Sequence, residues 1–203
     1  MGSRIIAGWV PDYPVVAVGA QRAEPVAVVH RNEVVACSES ARTAGVRRRM
    51  RVRAAQARCA ELRVVERDLT AEFRLFEPVV RHVEGTVMPR LEVIRPGLLA
   101  APARGPSRYW GGEPQLVDRL IATLADVGLP ARGGIADSVF TAALAARAGQ
   151  LVPSGADAAW LAPFPVGVLG APRLVELLER LGIRTVGAFA ALPENKVLAR
   201  FGA

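Results

Sequence analysis

Five arginines, Arg47, Arg48, Arg49, Arg51 and Arg53, stand almost side by side. A guanidinium keeps its charge at physiological pH, forks onto phosphate oxygens and stacks on bases. Crowding such groups costs energy unless water or phosphate neutralises them. The run is therefore either a solvated basic face or a surface that holds phosphates. No aromatic residues interleave it as in a base-stacking platform. Any nucleic acid it holds is then held by its backbone, with little choice of sequence. Other residue types with catalytic potential lack company. His30 and His82 lie far apart and read as ordinary surface or core side chains. Ser107 and Ser138 have no His/Asp constellation, which leaves a hydrolase without support. Cys37 and Cys59 have neither a CxxC spacing nor a nearby His pair and read as reduced structural thiols. No cofactor is expected.

The charge balance of the whole chain agrees with a polyanionic partner. The net charge over 203 residues is +7, the pI about 10.8, and the only lysine is Lys196. A basic balance favours nucleic acid. A GC-rich genome accounts for the choice of arginine over lysine, but not for the clustering. About half of the residues are hydrophobic, enough to bury a core in one domain or two small ones. No apolar run is long enough to cross a bilayer, and the N-terminus has no signal-peptide core. A cytoplasmic, nucleoid-associated protein without a membrane partner is expected.

The elements that must position these residues alternate between strand and helix. Strands are expected at 4–9, 26–30, 33–37, 62–65, 87–94 and 131–136, with Arg31-Asn32 turning a hairpin. Asp12 is expected to cap a short helix over 15–18, with Pro14 in its first turn. Further helices are expected at 39–44 (closed by Gly45), 51–59, 69–84, 114–127 (closed by Gly128) and 138–148 (capped by Ser138, ended by Gly149). In the long helix 69–84, Leu69, Phe73, Phe76, Val80 and Val83 form the expected apolar face, with Pro78 as a strain. Residues 101–113 read as a Pro/Gly-rich loop, where Tyr109 and Trp110 stand available for contact. After a boundary at Pro153–Asp157 the pattern turns helical, with helices at 171–181, 185–192 and 194–200. The fold class is α+β, with a mixed or antiparallel sheet.

Within this frame the stretch Ala41–Met50 reads A-R-T-A-G-V-R-R-R-M. Arg42, Gly45, Val46, Arg47 and Met50 fall on the A-R-x-x-G-V-R-x-x-M signature of Y-family (DinB/UmuC-like) DNA polymerases. Gly134–Ala145 resembles that family's G-x-A/S segment, and Leu161–Gly202 resembles its small helical thumb. The resemblance implies a palm formed by 1–12 and 69–152 and small fingers formed by 13–68. It also implies a helix–hairpin–helix-like thumb at 153–203. The expected little finger is absent from the chain, which reads as truncated after the thumb. In the thumb the resemblance makes Pro165–Gly170 a phosphate-gripping turn. Gly167 and Gly170 let the backbone approach DNA, and Arg173 and Arg184 add charge. With Arg42 and the arginine run, these are the expected DNA-binding residues.

The same resemblance locates where polymerase chemistry ought to lie. The family holds two divalent ions on carboxylates, one at the end of the first strand and an Asp-Glu pair after the strand expected at 87–94. This chain has Trp9 at the first place and Gly97-Leu98 at the second. Arg95 would repel a cation. Asp12 keeps an acid nearby, at a position that in the family chiefly lends its backbone carbonyl to the metal, and Glu92 is one acid with the wrong spacing. The nucleotide grip is eroded as well. Glu39 stands where a tyrosine should hold triphosphate with Arg42, Pro14 or Val15 where an aromatic screens the sugar, and Arg147–Gln150 where a Lys-Pro segment is usual. No catalytic residue and no metal site is expected.

The combination resembles the catalytically degenerate, ImuB-type branch of the family. It implies a non-catalytic, DNA-binding adaptor in translesion synthesis and damage-induced (SOS) mutagenesis. Its implied partners are DNA, an error-prone polymerase and an accessory mutagenesis protein. A sliding clamp is in question, because the expected clamp-binding peptide is missing. An active lesion-bypass polymerase and a pure protein-interaction scaffold are the alternatives.

Overall fold

The computed structural model describes residues 3–21 and 23–193. Strand β1, Ile5–Trp9, is followed by the short helix α1, Tyr13–Ala17. Asp12 precedes α1 in a left-handed conformation (φ 48°) and makes no side-chain cap, contrary to expectation. Its carboxylate is engaged by Arg42 instead. Strands β2, Val26–His30, and β3, Glu33–Cys37, form the expected hairpin. Arg31 and Asn32 both have positive φ, the geometry of a two-residue turn whose twist matches paired strands. Helix α2, Glu39–Thr43, is capped by Ser38, whose Oγ accepts from the Ala41 amide. Helix α3, Val52–Arg58, and strand β4, Arg63–Glu66, complete this part. β4 pairs parallel to β2, so the order β3-β2-β4 is a mixed sheet. Ala27, Val29 and Val34 face α2 and α3 through Ala41 and Ala55; Val26, Val28 and Ala36 pack with Val15 of α1.

Helix α4 runs from Leu69 to Thr86 and passes through Pro78 without a break. Its buried stripe is Glu72, Phe76, Val79 and Val83. Leu69 and Phe73, expected inside, are about half exposed. The residue that displaces them is an acid, Glu72, buried because Arg67 satisfies both its oxygens.

The strand expected at 87–94 is only β5, Glu92–Arg95. Pro89 lies in the segment before it, where a missing N–H disfavours pairing. β5 turns through Pro96-Gly97 into β6, Leu98–Pro102, and the expected loop at 101–113 contains helix α5, Arg104–Trp110. Gly97 takes φ +78°, and a Cβ there would stand 2.4 Å from Cβ of Tyr13, so the turn admits only glycine. Helix α6, Glu113–Asp126, strand β7, Arg132–Ala136, and helix α7, Val139–Ala148, follow, with Ser138 capping α7 as expected.

The second sheet, β5-β6-β1-β7, is antiparallel throughout. On one face Ile6, Leu99 and Ile135 pack against Phe76 and Val83 of α4 and Leu116, Leu120 and Leu124 of α6. On the other, Ala7 and Ala136 meet Ala142, Ala145 and Ala146 of α7. Helix and sheet approach closely here: a Cβ on Gly134 would lie 2.3 Å from the Ala146 backbone nitrogen.

The remainder is helical. α8, Asp157–Leu161, a 3₁₀ turn at Val166–Leu169, α9, Pro172–Arg180, and α10, Val186–Ala190, form a small module. The helix expected at 194–200 lies outside the described residues. No helix among the described residues is long and apolar enough to cross a membrane.

Candidate functional site

β1 and β6 bring together the two places where the family resemblance puts metal-holding carboxylates. Their register sets Trp9 directly opposite Leu98, and the Val10 amide donates to the Gly97 carbonyl at 2.8 Å. Directly paired residues in a sheet share a face. Trp9 packs on the α7 side beside Ala7, and Leu98 is buried. An indole and an isobutyl group offer no hard oxygen to a divalent cation.

A cleft of about 200 Å³ opens beside this pair. Trp9, Asp12, Tyr13 and Pro14 form one wall, Val35 and Ala36 of β3 another, and Arg48, Arg67, Arg95 and Arg147 complete the lining. Four guanidinium groups thus stand against one carboxylate. That carboxylate, on Asp12, is taken by Nη2 of Arg42, which also donates to the Cys37 carbonyl at 3.1 Å. Arg67 is neutralised by Glu72. Arg48, Arg95 and Arg147 form no ion pair among the described residues. Burial lowers the pKa of Arg95, and repulsion from Arg147, Arg48 and Arg67 lowers it further. Arg147 is lowered by partial burial and by Arg48. Burial pushes the Tyr13 phenol up to about 12, with Glu72 adding to the shift. Among the described residues no three His, Cys, Asp or Glu side chains cluster as a metal ion would require. The residues present do not fit a pair of magnesium ions.

The arginine run divides according to its surroundings. Arg48 faces the cleft. The Arg47 guanidinium donates to the carbonyls of Arg42 and Val46, and Arg51 pairs with Glu33 at 3.5 Å. Arg49 and Arg53 are exposed and reach no acid among the described residues. In the helical module Gly170 takes φ +69° and ends the 3₁₀ turn just before α9. The N-cap, Ala171, makes no side-chain cap to the first amides of α9; Gly167 lies within the 3₁₀ turn, Arg173 in the first turn of α9, and the Arg184 carbonyl accepts from the Val166 amide at 3.0 Å. Of the expected DNA contacts among the described residues, only Arg48 lines the cleft. Glu92 is exposed on β5 and does not line the cleft. Of the other polar residues, Ser107 donates to the Arg104 carbonyl, and Trp110 donates to the Val87 carbonyl at 3.0 Å.

The sequence showed Arg95 and Arg147 only singly, one as repelling a cation and one as opening an eroded phosphate segment. Arg67 carried no signal at all. Positions 48, 67, 95 and 147 belong to different elements, and only the packing of two sheets unites them.

Comparison with known proteins places residues 16–147 on the model of the impB/mucB/samB family. The protein called ImuB of Caulobacter vibrioides is 38% identical over 102 residues, covering 48% of this chain and 22% of that protein. The DNA polymerase IV of Dehalococcoides mccartyi is 40% identical over 86 residues, covering 39% of this chain and 22% of that protein. The chain thus matches about a fifth of the length of these relatives. Among solved structures, DinB from Sulfolobus solfataricus superposes with a TM-score of 0.73 at 15% identity. That match covers 98% of this chain and 63% of that one, a likeness of fold.

Proposed function

The chain belongs to the impB/mucB/samB family, and its fold is that of a Y-family polymerase; from this premise we propose a non-catalytic, DNA-binding adaptor in DNA-damage tolerance. Palm-like (1–12 and 69–152), fingers-like (13–68) and thumb-like (153–203) parts would grip DNA by its backbone. The adaptor would work in translesion synthesis beside an error-prone polymerase and an accessory mutagenesis protein. The observation that carries the reading is the pairing of Trp9 with Leu98 beside four arginines. Phosphoryl transfer in this family depends on carboxylate-held metal ions, and the cleft's surplus of positive charge favours holding phosphate over assembling such ions. The likeness to ImuB supports the same branch. DNA contacts are assigned to Arg42, Arg47, Arg48, Arg49, Arg51 and Arg53, and in the thumb to Gly167, Gly170, Arg173 and Arg184.

Two measurements test this. A mobility-shift titration against salt is expected to show sequence-independent binding that weakens steeply as salt rises; a folded sample that binds no DNA at low salt would overturn the reading. A primer-extension assay with Mg²⁺ or Mn²⁺ is expected to give no product. The rival reading, an active lesion-bypass polymerase, draws on the likeness to DNA polymerase IV and on Asp12 in the cleft wall. Template-dependent extension lost in Asp12→Ala would establish it.

A further inference from the structure

We infer that the cleft lined by Arg48, Arg67, Arg95 and Arg147 is a metal-free binding site for a phosphate-rich anion, in which fixed guanidinium groups stand in for divalent cations. The cleft is bounded by the turn after β1, by β3, and by the end of β5, and Arg147 reaches it from the last turn of α7. Its one carboxylate, Asp12, is already matched with Arg42, and of its guanidiniums Arg67 is matched with Glu72. Arg48, Arg95 and Arg147 are left as surplus positive charge. Burial first, and repulsion among neighbouring guanidiniums second, lower the pKa of Arg95 and Arg147; an anion carrying several charges close together relieves that repulsion. Guanidinium forks match phosphate oxygens in geometry as well as in sign.

Size narrows the ligand. About 200 Å³ is smaller than the roughly 300–1,000 Å³ of pockets that take drug-sized molecules. It suits an inorganic oligophosphate or successive phosphates of a strand. The field also sets the response to metal. A magnesium-bound phosphate brings its own positive charge toward three arginines that have no ion pair among the described residues, so magnesium should weaken binding. This inference concerns the cleft alone and does not rest on the adaptor reading.

The test is calorimetric titration of the full chain with inorganic triphosphate at low salt in EDTA, with tryptophan emission followed in parallel because Trp9 lines the cleft. Saturable binding is expected, weakened by excess Mg²⁺. Each of Arg95→Gln and Arg147→Gln should weaken it about tenfold, the loss of one charge-assisted contact, whereas Arg108→Gln on α5 should not. Circular dichroism confirms folding, and Arg147 at the exposed rim serves if Arg95→Gln does not fold. A second arm titrates a short single-stranded oligonucleotide. If triphosphate displaces it and the same variants weaken it, strand phosphates are an occupant. If the variants affect triphosphate alone, the occupant is a free oligophosphate. Absence of triphosphate binding, indifference of both ligands to Arg95→Gln and Arg147→Gln, or binding strengthened by Mg²⁺ would overturn the inference. Failure of the adaptor reading is separable, because the chain would then bind triphosphate but shift no duplex DNA.

Discussion

Arg67 sets its guanidinium squarely on the carboxylate of Glu72, with Nε donating to Oε1 and Nη2 to Oε2, each at 2.8 Å. Glu72 is only 3% exposed. The pair joins the end of the three-stranded sheet to α4, the helix that backs the four-stranded sheet, and so holds one wall of the cleft. Glu72→Ala leaves Arg67 partly buried and unpartnered. Breaking such a pair costs about 3 kcal/mol at the lower end of the observed range, a fall in Tm of roughly 6–12 °C for a chain of this size. Thermal unfolding followed by circular dichroism measures it. A change of less than a degree would mean that the junction is held by other contacts.

Two glycines make a matched contrast. Gly134 on β7 faces the backbone of α7, and a Cβ would meet three atoms of Ala145 and Ala146 at under 3 Å. Backbone cannot rotate away, so Gly134→Ala should cost about 1–3 kcal/mol as the sheet and helix are forced apart. Gly85 lies near the end of α4 with nothing within 4 Å of its Cβ position. Gly85→Ala should therefore stabilise by up to about 1 kcal/mol, through restricted unfolded-state freedom and better helix propensity. Urea midpoints of the two variants should move in opposite directions. If both fall, α4 and α7 pack more loosely than their geometry implies.

Tyr13 supplies a pH dependence. Its phenol lies against Phe76 with ring centroids 4.9 Å apart, and burial raises its pKa to about 12. The unfolded value is about 10. The folded state thus favours the neutral phenol, so this stabilisation is complete below about pH 10. It is lost as the pH rises through the folded value of about 12. Phenolate absorbance should show one of the two tyrosines ionising late, and Tyr13→Phe should remove it. Alkaline unfolding of that variant should lose part of its pH dependence between these values. Early ionisation of Tyr13 in the folded chain would show that the cleft wall is open to water.

How far the chain could be read in advance depends on the distance over which each feature is encoded. The β2–β3 hairpin, the Ser38 and Ser138 caps, and the glycines that close α2, α6 and α7 were legible because each depends on a few adjacent residues. The face of α4 was misassigned because Glu72 is buried by a partner, Arg67, whose contribution an apolar-periodicity count does not register. The β5–β6 hairpin was not legible because Pro96-Gly97 follows a run read as one strand over 87–94 and the return strand ends inside the Pro/Gly-rich stretch 101–113, which reads as a loop and also hides α5. The juxtaposition of Trp9 with Leu98 was legible only through resemblance. The convergence of Arg48, Arg67, Arg95 and Arg147 was not legible at all, since it follows from how two sheets pack.

The arginine run offers the most discriminating test of DNA binding, because its members differ in what they already touch. Arg49 and Arg53 are exposed without an acidic partner among the described residues, whereas Arg51 faces Glu33 and Arg47 is bonded to backbone carbonyls. A phosphate contact releases counterions, so log K against log salt should flatten by about 0.9 for each contact removed from duplex DNA. Arg49→Ala and Arg53→Ala should each approach that value. Arg51→Ala should change the slope less, because Glu33 competes for its guanidinium. Arg47→Ala should also flatten the slope less than Arg49→Ala, because backbone carbonyls hold part of its guanidinium, and should lower affinity further by loosening the turn at 45–50. Fluorescence anisotropy at several salt concentrations separates these patterns. Equal slopes in all four variants, with equal affinities, would mark the run as a solvated face and assign DNA binding to the cleft and the helical module.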